Sequence, residues 1–92
     1  MNKTNWILLD TEVNSNKPPF YVLELAAQKM RGWLPHGEPF RRLLNHNTDI
    51  PPETSRVNGY TREILERDGE RPLDVYHAFA DYVSLSLGGL SH

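Results

Sequence analysis

Trp6-Ile7-Leu8-Leu9-Asp10-Thr11-Glu12, four apolar residues followed by two carboxylates around a threonine, decides how this chain folds. The run is short, apolar on both faces and closed by an acid, the pattern of a strand covered on both sides of its sheet. It predicts a central strand over about residues 5–11. Residues i and i+2 of a strand project to the same side, so Asp10 and Glu12 can share one hard cation such as Mg²⁺ or Mn²⁺. The spacing alone is weak evidence. With five Asp and seven Glu in 92 positions, chance supplies roughly 0.4 such triplets, and a second one, Asp68-Gly69-Glu70, reads as solvated loop charge. Two like charges at the end of an apolar strand need a counter-charge, which a metal supplies. From the strand context alone, a metal pair and an Asp that caps the following turn with Glu12 in solvent are equally good readings.

Working outward, Asn14-Ser15-Asn16-Lys17-Pro18-Pro19 is dense in turn formers and reads as a loop. From Phe20 to Arg31, Tyr21, Leu23, Leu25 and Ala27 fall on one face, so a second strand fits best, although Leu23 to Met30 alone also fits a helix. Gly32 to Gly37, with Pro35 between, is a hairpin connection, and Glu38 to Leu44 is a third strand with one wet side. Three sequential strands form a meander. Asn45–Asp49 is a polar break, and Ile50-Pro51-Pro52-Glu53 opens a loop or a single helical turn. Thr61 caps a short helix over about 62–67 that Gly69 stops. A longer helix starts at Pro72 and stops at Gly88, with Val75, Phe79, Tyr82, Val83 and Leu87 on one face and Asp81 on the wet side. The apolar stripe needs a sheet to lie on.

Ninety-two residues make one small domain, and a 38% hydrophobic content is that of a globular chain. A net charge of −2 offers no general attraction to nucleic acid or anionic lipid. Any phosphate-bearing partner needs a bound cation. The absence of cysteine excludes thiolate metal sites and thiol nucleophiles. No signal peptide is legible at Met1–Asn5, so a cytoplasmic location and no membrane partner are expected.

Ile7-Leu8-Leu9-Asp10-Thr11-Glu12 resembles the first motif of the DEDD superfamily of 3′–5′ exonucleases, the group that includes the proofreading epsilon subunit of DNA polymerase III and ribonuclease T. Further stretches fall in that family's order. Val22-Leu23-Glu24-Leu25-Ala26-Ala27 resembles its second strand, and Phe40 to Asn45 its third. Ile50-Pro51-Pro52-Glu53 with Val57-Asn58-Gly59-Tyr60-Thr61 resembles the stretch usually read as Val-His-Gly-Ile-Thr. The resemblance implies an α/β, ribonuclease-H-like exonuclease fold, of which this chain is the N-terminal half: a three-strand antiparallel meander followed by two helices. It implies hydrolysis of phosphodiester bonds at a 3′ end of single-stranded DNA or RNA by two Mg²⁺ or Mn²⁺ ions. Asp10 would bridge both ions, and Glu12 would bind the one that activates water. Thr11, Val13, Glu53, Thr54, Val57 and Asn58 would cradle the terminal nucleotide. Val13 stands where Thr is frequent in the family, and Asn58 where His is frequent.

The family's second Asp, late His and last Asp have no counterpart. The chain closes on Gly88-Gly89-Leu90-Ser91-His92, and Leu-Ser-His resembles the opening of the second motif. The expectation is a domain truncated before that motif and poorly active or inactive alone. The alternative is a non-catalytic nucleic-acid- or protein-binding module on the same scaffold. An unpaired strand edge and an exposed apolar helix face predispose it to self-association or a homodimer. Trp6 and Trp33 are expected as buried anchors, Arg41 and Arg42 as solvated residues on opposite strand faces, and His36, His46 and His77 as surface histidines. Glu24 has no role beyond a polar strand position.

Overall fold

The computed structural model describes residues 4–86. Four strands precede three helices: β1 (Asn5–Val13), β2 (Val22–Arg31), β3 (Leu34–Pro35), β4 (Phe40–Leu43), α1 (Pro52–Asn58), α2 (Arg62–Asp68) and α3 (Pro72–Ser86). β1 and β2 pair antiparallel from Asn5↔Arg31 to Glu12↔Glu24, with an irregularity between Glu12 and Val13. On its other side β2 pairs with the two-residue β3 and, through Glu24↔Leu43 to Ala27↔Phe40, with β4. The result is an antiparallel meander of three main strands followed by helices, a mixed α/β fold.

β2 is the central strand among the described residues, where the sequence pattern assigned that place to β1. The apolar run of β1 marks two faces that can be covered, but it does not supply the cover. Leu8 and Leu9 are 54% and 53% exposed. Along β2 the alternation holds, with Leu23, Leu25 and Ala27 buried in a row. Against this face lies α3, and Leu25, Ala27, Phe40, Leu44 and Val75 form the core, flanked by Ile7, Val22, Ala78, Phe79 and Tyr82. The Phe40 ring meets Phe79 and Tyr82 at centroid separations of 5.6 and 5.3 Å. The Tyr82 hydroxyl accepts the Lys29 backbone N–H at 3.1 Å and donates to the Glu38 carbonyl at 2.9 Å, fixing α3 across the meander.

The helical half has three elements, one more than the sequence pattern predicted. Pro51-Pro52 sets φ at the start of α1, which runs for two turns and not one, and Gly59 ends it in the left-handed region at φ 81°. Thr61 caps α2 as expected, its side chain accepting the Ile64 N–H at 3.2 Å. Asp68-Gly69-Glu70 is not free loop charge. Glu70 N–H donates to the Leu43 carbonyl, and Asn45 N–H to the Glu70 carbonyl, each at 2.9 Å. This parallel bridge straps the α2–α3 junction to the end of β4, and the Arg42 guanidinium closes it on the Glu70 carboxylate at 2.9 and 3.2 Å.

Trp6 and Trp33 depart from the buried-anchor expectation. Their rings form an edge-to-face pair at 6.0 Å, yet Trp33 is 79% exposed, because the hairpin that carries it has no opposing layer among the described residues. The Trp6 indole N–H donates to the Gly32 carbonyl at 2.6 Å. Asp81 is exposed, as expected of the wet side of α3. Leu87, Gly88 and the closing Leu90-Ser91-His92 lie outside the described residues, as do Met1–Lys3.

Candidate functional site

Strand pleating places Asp10 and Glu12 on one face of the sheet, opposite Ala26 and Glu24 of β2. This is the face turned away from the Leu23-Leu25-Ala27 core row. Asp10 is exposed and Glu12 half-buried. Beside Glu12, a cleft of about 690 Å³ opens between the end of β1 and α1. Thr11, Glu12 and Val13 line it from the strand, and Pro51, Glu53, Thr54, Val57 and Asn58 from the helix. Ser15, Asn16 and Lys17 complete the wall from the β1–β2 loop. Of the residues expected at a site, Thr11, Glu12, Val13, Glu53, Thr54, Val57 and Asn58 come together here. Asp10 lies beside the cleft, two residues along the same strand face.

The cleft's width is fixed by a clasp that the sequence did not reveal. Asn14 is 8% exposed, and its side chain closes the loop: Oδ1 accepts the Tyr21 N–H at 2.7 Å, and the amide donates to the Pro19 carbonyl at 3.3 Å. The Asn14 carbonyl in turn accepts the Thr54 hydroxyl at 2.6 Å, joining the loop to α1. The Thr54 proton therefore serves the architecture of the cleft. Asn58 is partly committed too, its Oδ1 accepting the Tyr60 N–H at 2.9 Å, while the Ser55 hydroxyl donates to the Tyr60 carbonyl at 2.6 Å. The only sequence sign of this clasp was the density of turn formers after Val13.

A second group fills the sheet face behind Glu12. Glu24 stands directly opposite Glu12, and like charges so placed repel. Arg41 forms an ion pair with the Glu24 carboxylate. The Tyr60 hydroxyl donates to Glu24 Oε1 at 2.7 Å and accepts from Arg41 Nη2 at 3.0 Å. Glu24 is thereby half-buried with its carboxylate ion-paired, its side chain 14% exposed. The attraction of Glu24, and then of Tyr60, raises the Arg41 pKa above its usual range. Burial, reinforced by the Glu24 hydrogen bond, raises the Tyr60 phenol pKa. Arg41 is thus a partnered residue and not a merely solvated one. A Glu in mid-strand opposite another Glu was the available signal, since such a pair demands a cation.

His46 is bonded within the fold, its Nε2 2.7 Å from the Val22 carbonyl and its ring 5.0 Å from that of Tyr21. Carboxylate oxygens suit Mg²⁺ or Mn²⁺ by type. Among the described residues no three acidic, histidine or cysteine groups converge on one point. Asp10 and Glu12 thus fit part of the coordination shell of a hard cation and do not complete it. No helix among the described residues is long and apolar enough to cross a membrane.

No protein-family profile matches the sequence, and neither does any curated protein. Among solved structures, the chain is similar to a crystal structure of exonuclease I in complex with the inhibitor BCBP. The TM-score is 0.70 at 18% sequence identity, over 92% of this chain and 19% of that one. This chain has the fold of that part of the exonuclease and spans about a fifth of its length.

Proposed function

We propose that this chain carries the first acidic motif and the 3′-end cleft of a divalent-metal-dependent 3′–5′ exonuclease of the DEDD type. The observation that carries this reading is the placement of Asp10 and Glu12 on one strand face, with Glu12 opening into a cleft framed by Thr11, Val13, Glu53, Thr54, Val57 and Asn58. The fold shared with exonuclease I supports it. Asp10 and Glu12 would hold the cation, whose positive charge offsets that of a phosphodiester in a chain of net charge −2. Glu53 and Asn58 present polar edges to a terminal nucleotide, and Val57, 87% exposed at the cleft, offers an apolar surface for a base or sugar. Thr54 positions α1 through Asn14.

Two carboxylates are too few to hold an ordered pair of ions. The 92 residues are accordingly read as the N-terminal portion of one exonuclease domain, inactive without the remaining acidic ligands. That shortage also favours a second reading, a binding module on the same scaffold without chemistry. The test is release of 3′-terminal nucleotides from end-labelled single-stranded DNA and RNA in Mg²⁺ or Mn²⁺, by a longer polypeptide that joins this chain to a second acidic motif. Hydrolysis lost in both Asp10→Ala and Glu12→Ala variants is expected. Hydrolysis unchanged by either substitution contradicts the nuclease reading, and binding without hydrolysis favours the second.

A further inference from the structure

Most cations of the described fold are already neutralised or covered. Arg41 pairs with Glu24, Arg42 with Glu70, Arg62 with Asp49 and Glu66, Arg67 with Asp68, and Arg71 with Asp74. The Lys29 ammonium sits over the Tyr82 ring at 4.4 Å. Lys17 is different. It lines the cleft beside Glu12 and is the one Lys, Arg or His among the lining residues, and no described carboxylate pairs with it. Its loop is also held. The Lys17 N–H donates to the Ser15 hydroxyl at 3.0 Å, and Asn14 ties the ends of the loop together through its buried side chain and joins them to α1 through its backbone carbonyl, which accepts the Thr54 hydroxyl. A lone cation on a pinned loop, above a cleft that also holds Glu12 and Glu53, has no use for binding an acidic protein surface or a cationic ligand. It suits an anion brought there by other means.

We propose that Lys17 binds a backbone phosphate of a single-stranded polynucleotide lying in the cleft, one phosphate away from the group that Asp10 and Glu12 engage through their cation. This deepens the exonuclease reading and rests on it. Lys17 is a binding residue that selects a chain with more than one phosphate over a mononucleotide. Because it acts by charge, Arg replaces it and Gln does not.

The test uses the whole chain and a 5′-labelled oligothymidylate, with binding followed by fluorescence anisotropy in Mn²⁺ across a salt series, alongside Mn²⁺ binding measured separately by calorimetry. Removing one phosphate contact from a single strand flattens the plot of log affinity against log salt by about 0.7, which is roughly eightfold weaker binding at about 50 mM salt relative to about 1 M. Lys17→Gln is expected to show that loss with Mn²⁺ binding unchanged, and Lys17→Arg to restore the slope. Arg31→Gln, at the far end of β2, is expected to match the wild type. If the wild type binds both Mn²⁺ and the oligonucleotide, and Lys17→Gln keeps the full salt slope, the Lys17 assignment is overturned and the exonuclease reading stands. A Lys17-dependent slope without any Mn²⁺ binding upholds Lys17 and removes the metal. Absence of oligonucleotide binding by the wild type overturns the assignment.

Discussion

Glu24 shows how one residue can be visible in a sequence while its purpose is not. Its neighbours in β2 are buried, and its cross-strand partner is another Glu, so isolated it would be costly. Arg41 and Tyr60, 17 and 36 positions away, resolve that cost through contacts that no local pattern encodes. The raised Tyr60 pKa has a definite sign. The neutral phenol is favoured in the fold, so its contribution to stability is complete below the unfolded value of about 10 and is lost as pH rises through the folded value. Glu24→Gln removes the carboxylate that favours the neutral phenol. Phenolate ultraviolet absorbance, with Tyr60→Phe subtracted, is expected to show Tyr60 ionising at lower pH in Glu24→Gln than in the wild type. An unchanged titration means that Glu24 does not govern Tyr60.

Gly69 is a second case at the same scale. Its φ of −85° is open to any residue, so conformational freedom does not explain the glycine. A Cβ there would meet the Leu65 carbonyl oxygen at 2.5 Å and the Asn45 Cβ at 3.1 Å. Glycine is required because the α2 terminus and the strap to β4 approach each other this closely. Gly69→Ala is expected to cost about 1–3 kcal/mol of stability, the scale of overpacking, read as a lower urea midpoint. Unchanged stability contradicts the close approach.

At the scale of elements, regular periodicity was legible and tertiary placement was not. Leu23, Leu25 and Ala27 alternated correctly, Thr61 announced its cap, and Val75, Phe79 and Tyr82 marked the buried side of α3, because each signal is local. α1 was expected as a loop or a single helical turn: Pro51 at the N-cap and Pro52 at the first turn suit a helix start, but they do not say how far the helix runs. The end of β1 was placed two residues early, at 11 and not 13, since a carboxylate marks the edge of an apolar run and not the edge of a ladder. The clasp from Asn14 to Thr54 joins residues 40 positions apart. A turn-rich loop gives no sign of which helix it will meet.

For the molecule as a whole, the order of elements followed from the sequence, and the centre of the sheet did not. β1 has an apolar run suited to two covered faces, yet in the described residues it pairs along one edge and leaves Leu8 and Leu9 half exposed. The candidate site follows the same division. That Asp10 and Glu12 share a strand face was legible from strand geometry, and the residues now seen lining the cleft were singled out by family resemblance, while Asn14, Lys17 and the Glu24 group emerged only in three dimensions. The nuclease reading proposed for this chain depends on the carboxylate pair at the end of β1 engaging a cation.

The direct test is a Mn²⁺ titration of the whole chain followed by paramagnetic broadening of its amide resonances. The expected result is loss of the signals of residues 9–13 and their β2 partners before any others, and loss of this selectivity in Asp10→Asn and Glu12→Gln. Broadening that is spread over the surface carboxylates in the wild type, or that persists at β1 in both variants, contradicts the assignment.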